Sequence, residues 1–178
     1  MHELIRTLIQ RGAIASIYCD SNDDNAHLTG FIVACDDVDL LIAHISPHGL
    51  YDGYILIHLQ DIFRIDFDGD YEHRIKTLYE AKKQSHRMVA VLKKANGTLR
   101  NTLLEFAKEQ SLVVAFEFDE SLLSGNILEI QCDEVKLQIL DLAGKENGIA
   151  TLQTDCIKSI SVDTDDEQDV YLLGQLQV

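Results

Sequence analysis

Cys35-Asp36-Asp37-Val38-Asp39-Leu40-Leu41-Ile42 returns ninety-seven residues further along the chain as Cys132-Asp133-Glu134-Val135-Lys136-Leu137-Gln138-Ile139. Other landmarks recur around it in the same order. Gly30-Phe31-Ile32 matches Gly125-Asn126-Ile127, and Asp52-Gly53 matches Asn147-Gly148. Ile62-Phe63-Arg64-Ile65-Asp66-Phe67-Asp68 matches Ile157-Lys158-Ser159-Ile160-Ser161-Val162-Asp163. The offset drifts between 95 and 99 residues, as expected when loops change length and strands do not. Ordered self-similarity is the signature of a repeated architecture, so the chain reads as two copies of one small unit.

Each copy opens with a short amphipathic helix. Leu4, Ile5, Leu8 and Ile9 lie at helical spacing before Gly12, and Leu99, Leu103, Leu104, Phe106 and Ala107 do the same in the second copy. Alternating stretches then indicate strands: Ala15, Ile17 and Cys19 against Val114, Phe116 and Phe118. The polar turn that follows is four residues longer in the first copy. Asp52-Gly53 and Asn147-Gly148 read as tight hairpin turns, which need φ > 0 at both central residues. Two further strands close each copy, about 54–59 and 62–67, repeated at 149–153 and 157–162. Five short antiparallel strands with one apolar face bury it best by curling into a small barrel.

This order resembles the Sm-like family of small barrels. The shared features are the N-terminal helix, the bent second strand opened by Gly30 or Gly125, the Asp-containing turn, and a final strand pair joined by a minimal turn. The resemblance covers roughly 1–68 and 99–163. It implies a mainly β protein with helices: two tandem five-stranded antiparallel barrels joined by a connector helix. The expected divisions are a first barrel over 1–69, a basic helical connector over 70–97, and a second barrel with a C-terminal tail over 98–178. RNA-binding members carry an Asn before strand three and an Arg-Gly or similar pair between strands four and five. Here Asp39 and Lys136 occupy the first place, and His58-Leu59-Gln60-Asp61 and Gln153-Thr154-Asp155-Cys156 the second. The resemblance therefore implies the fold without the RNA-binding residues.

Charge supports that separation. The net charge of −15 disfavours a generic polyanion binder, because such affinity comes largely from neutralising phosphates. Residues 74–108 are the exception, with nine Lys or Arg against Glu80 and Glu105. Ile75, Leu78, Tyr79 and Lys82 follow helical spacing there, with Asp70 as a candidate N-cap. The helix is expected to run towards Lys93 and to stop at Asn96-Gly97, with Thr98 capping the next one. The simplest reading packs this helix against acidic surfaces. The alternative is an RNA-binding regulator that uses the segment as a basic stripe, with Tyr18, Tyr51 or Tyr54 as stacking surfaces.

Residues suited to chemistry are few. All seven histidines precede residue 87. His44, His48 and His58, with Asp52 nearby, are the candidate metal ligands and the centre of any enzymatic reading, but a strand end for His44, an exposed loop for His48 and a barrel position for His58 are the favoured explanation. No nucleophile elbow, phosphate-binding glycine loop, dinucleotide fingerprint or calcium loop is present. No catalytic residue and no cofactor is expected. Four cysteines without a CxxC spacing indicate reduced thiols in the cytoplasm, and Cys35 and Cys132 read as small core residues. No apolar run reaches the length of a membrane span, and the first residues lack a signal-peptide pattern.

The expected function is a non-enzymatic interaction or assembly module. In Sm-like rings the fourth strand of one barrel pairs with the fifth of its neighbour, so isolated strand edges invite association. The candidate interaction residues are Tyr54, Ile55 and Phe63 on the edges and Lys82, Lys83, Arg87, Lys93 and Lys94 on the basic segment. The partner is the chain itself, as a homo-oligomer, or another protein.

Overall fold

The computed structural model describes residues 1–21, 23, 26–86, 97–119 and 121–176. The chain divides into two units, Met1–Lys94 and Ala95–Val178. In the first, helix α1 (His2–Arg11) leads into strands β1 (Ile14–Tyr18), β2 (Leu28–Cys35), β3 (Asp39–Ile45) and β4 (Tyr51–His58). A single 3-10 turn (Leu59–Asp61) precedes β5 (Arg64–Phe67), and helix α2 (Asp70–Ala81) follows. The second repeats the succession: α3 (Leu99–Glu109), β6 (Val113–Glu117), β7 (Leu122–Ile130), β8 (Glu134–Leu140), β9 (Glu146–Gln153), a 3-10 turn (Thr154–Cys156), β10 (Ser159–Val162) and α4 (Asp165–Gln175).

The five strands of each unit are arranged as an open antiparallel sheet, which overturns the expectation of two closed five-stranded barrels. The order is β5-β1-β2-β3-β4 in the first unit and β10-β6-β7-β8-β9 in the second. Among the described residues β5 pairs only with β1, and β9 only with β8. The physical reason lies in β1, whose five residues are all buried. A sheet with a single apolar face gains by curling around it; this sheet has apolar residues on both faces. Ala15 and Ile17 join Ile5, Leu8, Ile42, Ile57 and Ile62 in a core beneath α1. Ile14 points the other way, to Ile45, Ile75 and Tyr79, with Phe31, Tyr51 and Tyr71 packed around them beneath α2. Helices thus cover what barrel closure would otherwise have to bury.

Pairing registers repeat residue for residue. Gly30 faces His44 and Gly125 faces Ile139; Asp39 faces His58 and Glu134 faces Gln153. Bulges recur at Ile32/Ala34 and Ile127/Glu129. This register corrects the opening match. Cys35 pairs with Leu40 and Ile130 pairs with Val135, so Cys35 corresponds to Ile130, not to Cys132. A slip of two residues preserves strand alternation, which is why the wrong match still placed the apolar residues on the proper face. Cys132 is exposed in a turn, so only Cys35 packs against the core.

The Asp-Gly and Asn-Gly pairs are not hairpin tips. Asp52-Gly53 lies inside β4, and the turn is Ser46–Leu50, closed by the Leu50 carbonyl accepting from the Ser46 amide at 2.9 Å. Asp52 and Gly53 together oppose His44, forming a bulge in which Gly53 takes φ 68°. Asn147-Gly148 forms the same bulge in β9, with Gly148 at φ 91°. Helix α2 begins one residue after Gly69, so Asp70 is its first residue and not its cap, and it ends at Ala81. Thr98 caps α3, its Oγ1 accepting from the Asn101 amide at 3.2 Å. The expected extension of the basic helix to Lys93 and the stop at Asn96 fall outside the described residues.

Candidate interaction sites

The structure brings the two candidate histidine groups into pairs at opposite ends of the β3–β4 ladder. The bulge aims Asp52 at the residue across from it, and His44 Nδ1 lies 3.1 Å from Asp52 Oδ2. At the other end His58 Nδ1 lies 3.0 Å from Asp39 Oδ1, with the Asp39 side chain 3% exposed. The second unit keeps the position with different chemistry: Gln153 Nε2 donates to Glu134 Oε1 at 2.5 Å. A carboxylate facing a donor is thus a cross-strand clasp common to both units, which a histidine fills in one of them. His48 lies in the turn, where its carbonyl oxygen accepts from Lys82 Nζ at 2.7 Å. Among the described residues no group of three or more His, Cys, Asp or Glu side chains is placed to hold a metal ion.

The candidate interaction residues separate by burial. Tyr54 and Ile55 are 2% and 8% exposed and serve the interior, whereas Phe63 is 45% exposed. Lys82 and Lys83 are exposed; Arg87, Lys93 and Lys94 lie outside the described residues. Arg100, which belongs to the same basic segment, is buried and donates to the carbonyl oxygens of Thr154 and Ile157. Its charge holds the 3-10 turn of the second unit in place.

Phe63 belongs to a cluster that the sequence did not single out. Where β5 pairs with β1, Tyr18 faces Arg64. The Arg64 guanidinium stands 4.6 Å over the Tyr18 ring and forks onto Asp66, with Nε to Oδ1 at 2.9 Å and Nη2 to Oδ2 at 2.5 Å. Phe63 meets the edge of Tyr18 at 6.1 Å, His27 lies 5.1 Å from Tyr18, and Tyr71 abuts His27 at 5.3 Å. Burial and then the Asp66 charge hold the Tyr18 phenol above its ordinary pKa. The Arg64 hydrogen bonds hold Asp66 below the usual carboxylate value. The cluster therefore keeps fixed charge beside aromatic faces on an edge strand, a combination suited to protein contacts. At the corresponding places the second unit has Glu117, Lys158, Ser159 and Asp166; Ser159 Oγ donates to Glu117 Oε2 at 2.5 Å.

Two glutamates are also buried among the described residues. Glu72 Oε2 accepts from the Gly69 amide at 3.1 Å and Oε1 from Ser16 Oγ at 2.5 Å, tying α2 to β1. Glu167 accepts from the Thr164 amide at 3.0 Å and from Thr164 Oγ1 at 2.6 Å. Both close their own helix N-terminus, so their burial has a structural cause. The recurrence of Glu three residues into each helix is the sequence signal for them, and it lies beyond the strands that carry the repeat.

No helix among the described residues is long and apolar enough to cross a membrane. Neither protein-family models, nor curated proteins, nor solved structures yield a match to this chain.

Proposed function

We propose that the chain is a non-enzymatic, cytoplasmic assembly module that associates with further copies of itself through edge strands β5 and β9. The observation that carries this reading is that each of these strands has a single hydrogen-bonding neighbour among the described residues. An edge strand offers unpaired backbone groups to another chain. Both edges also present apolar side chains: Phe63 and Phe67 beside or on β5, Ile149 on β9. The resemblance to Sm-like proteins, proposed here for the strand succession alone, points the same way. In that family a fourth strand pairs with a neighbour's fifth, and β9 and β5 are a fourth and a fifth strand. Such a head-to-tail contact builds a ring where the rotation closes and a filament where it does not.

Light scattering over a dilution series tests this, with masses at multiples of 20 kDa expected. Placing Lys on each edge, as Phe67→Lys with Ile149→Lys, is expected to reduce the mass to the single chain while the circular dichroism is unchanged. A 20 kDa species at every concentration of the unaltered chain would refute the proposal.

The RNA-binding alternative draws less support. Arg100 is occupied internally, and the acidic residues outnumber the basic ones in both units. A mobility-shift assay with mixed short RNAs at physiological salt is expected to show nothing tighter than about micromolar. Tight binding lost on neutralising Lys82 and Lys83 would restore that alternative.

A further inference from the structure

A cleft of about 430 Å³ opens in the second unit between α3 and α4, lined by Lys108, Asn126, Leu140, Glu146, Val170 and Gly174 among others. Its origin can be read from the repeat. The corresponding positions of the first unit are those of the α2-side core: Phe31 where the second has Asn126, Tyr51 where it has Glu146, and Tyr79 where it has Gly174. The Phe31 and Tyr79 rings meet edge to face at 5.2 Å there, and Tyr51 packs on Tyr54 at 5.6 Å. Three rings are thus absent from the second unit, while the strands, the bulges and the helix remain. The backbone has not collapsed into the space. It is held by the approach of turn 141–145 to α4, where a Cβ on Gly144 would collide with the Val170 carbonyl oxygen and the Gly174 amide nitrogen.

We infer that this cleft receives an aromatic side chain carried on a basic segment of a partner protein. The first unit shows what the surrounding backbone packs around at this place, namely aromatic rings. The volume lies in the range of pockets that enclose a ligand group. Around it the surface stays apolar beyond the footprint of a single ring: Leu142 is 87% exposed, Leu176 71% and Tyr171 52%. Extended apolar exposure of this kind marks a protein-binding surface. Charge fixes the character of the segment. Residues 95–178 hold 16 acidic and five basic side chains, a net −11, against −4 for residues 1–94 with 14 and ten. Five of the 16 acids, Asp163, Asp165, Asp166, Glu167 and Asp169, fall on α4 or its approach. A field of one sign steers and holds a segment of the opposite sign. Of strand β9 the cleft takes in only its first residue, Glu146, and its test reads peptide binding, whereas the assembly proposal is read by mass.

The chain contains no tryptophan, so a peptide's own tryptophan reports binding against a silent background. The probe is the amidated heptapeptide acetyl-Gly-Lys-Lys-Trp-Lys-Lys-Gly, added to the full chain. Its emission is expected to shift to the blue and to saturate. The same peptide with alanine at the centre should displace it at least about tenfold less well, the loss typical of a buried aromatic anchor. Asn126→Phe, which restores the ring that the first unit has at this position, should abolish binding without lowering the melting temperature. Glu146→Lys, at an exposed position that leaves the core untouched, should weaken the peptide about tenfold. No saturable shift, equal displacement by the alanine peptide, or full binding by a folded Asn126→Phe protein would each overturn the inference. So would unchanged affinity in Glu146→Lys. Displacement by N-acetyl-tryptophanamide as strong as by the peptide would overturn the protein partner in favour of a free aromatic ligand. Loss of self-association in Asn126→Phe would overturn it in favour of a second copy of this chain.

Discussion

The two units keep one face of the sheet and part company on the other. Beneath α1 and α3 the corresponding residues stay apolar and buried: Ile5 and Leu104, Ile17 and Phe116, Ile42 and Leu137, Ile62 and Ile157. Beneath α2 and α4 they diverge, from Phe31, Tyr51, Tyr71 and Tyr79 to Asn126, Glu146, Asp166 and Gly174. The shared face, with the register, bulges and capping glutamates, is enough to specify the backbone. The second face is then released from packing and can serve recognition. The first unit spends it on stability; the second leaves it open.

The sharpest way to break this comparison is to hollow the first unit as the second is hollowed. Tyr79 is 7% exposed and packs against Phe31. Tyr79→Ala removes a buried aromatic whose loss typically costs about 3–5 kcal/mol. Urea denaturation is expected to show the unfolding of the first unit displaced by an amount of that order. A loss below about 1 kcal/mol would mean that the α2 face is dispensable in both units and that the cleft has no counterpart core.

A smaller effect sharpens the shared part. Both glutamate caps close a helix, but only Glu72 also accepts from a strand residue, Ser16; the second unit has Ala115 at that place and Glu167 bonds within its own turn. Glu72→Ala is expected to cost about 2 kcal/mol, from a lost cap and a buried hydroxyl left without its acceptor. Glu167→Ala is expected to cost about 1 kcal/mol. Equal losses in chemical denaturation would show that the Ser16 link contributes nothing.

How much of this was legible in the sequence follows from the physics of each signal. Strand positions, the helix at each start and the four-residue loop difference came through, because apolar periodicity and chain length record them directly. Closure did not. The alternation of Ala15 and Ile17 with Ser16 suggests one buried face, and only tertiary contact reveals that Ser16 is buried too, against Glu72. Asp52-Gly53 signals positive φ in both a hairpin and a bulge, so the dipeptide located the special geometry and misassigned its type. The pairs His44–Asp52 and Asp39–His58 require the register and could not be read from spacing. The cleft was hidden for a different reason. It arises from side chains the second copy lacks: the change from Phe31 to Asn126 lies within the matched strands, but its packing partner, Tyr79 against Gly174, becomes visible only when the helix after each fifth strand is included in the repeat.

The smallest expected effect concerns pH. His86 stacks on Phe31 at 5.2 Å, and its Nδ1 lies 3.2 Å from the Tyr79 hydroxyl. Burial lowers the pKa of this imidazole from its ordinary 6.5 and raises that of the Tyr79 phenol, since both charged forms lose water. The folded first unit therefore keeps His86 neutral to a lower pH than the unfolded chain, which takes up a proton near pH 6.5. Where the unfolded state binds more protons, stability rises with pH. This contribution is complete above 6.5 and is lost as the pH falls below it. The second unit has no histidine, so the effect belongs to the first alone. Site-resolved NMR titration should place His86 below 6.5, and Tyr79→Phe, which removes the hydroxyl partner but keeps the ring, should leave it below. An imidazole that titrates at or above 6.5 would show that the aromatic face of the first unit is open to water, and the contrast with the cleft would lose its basis.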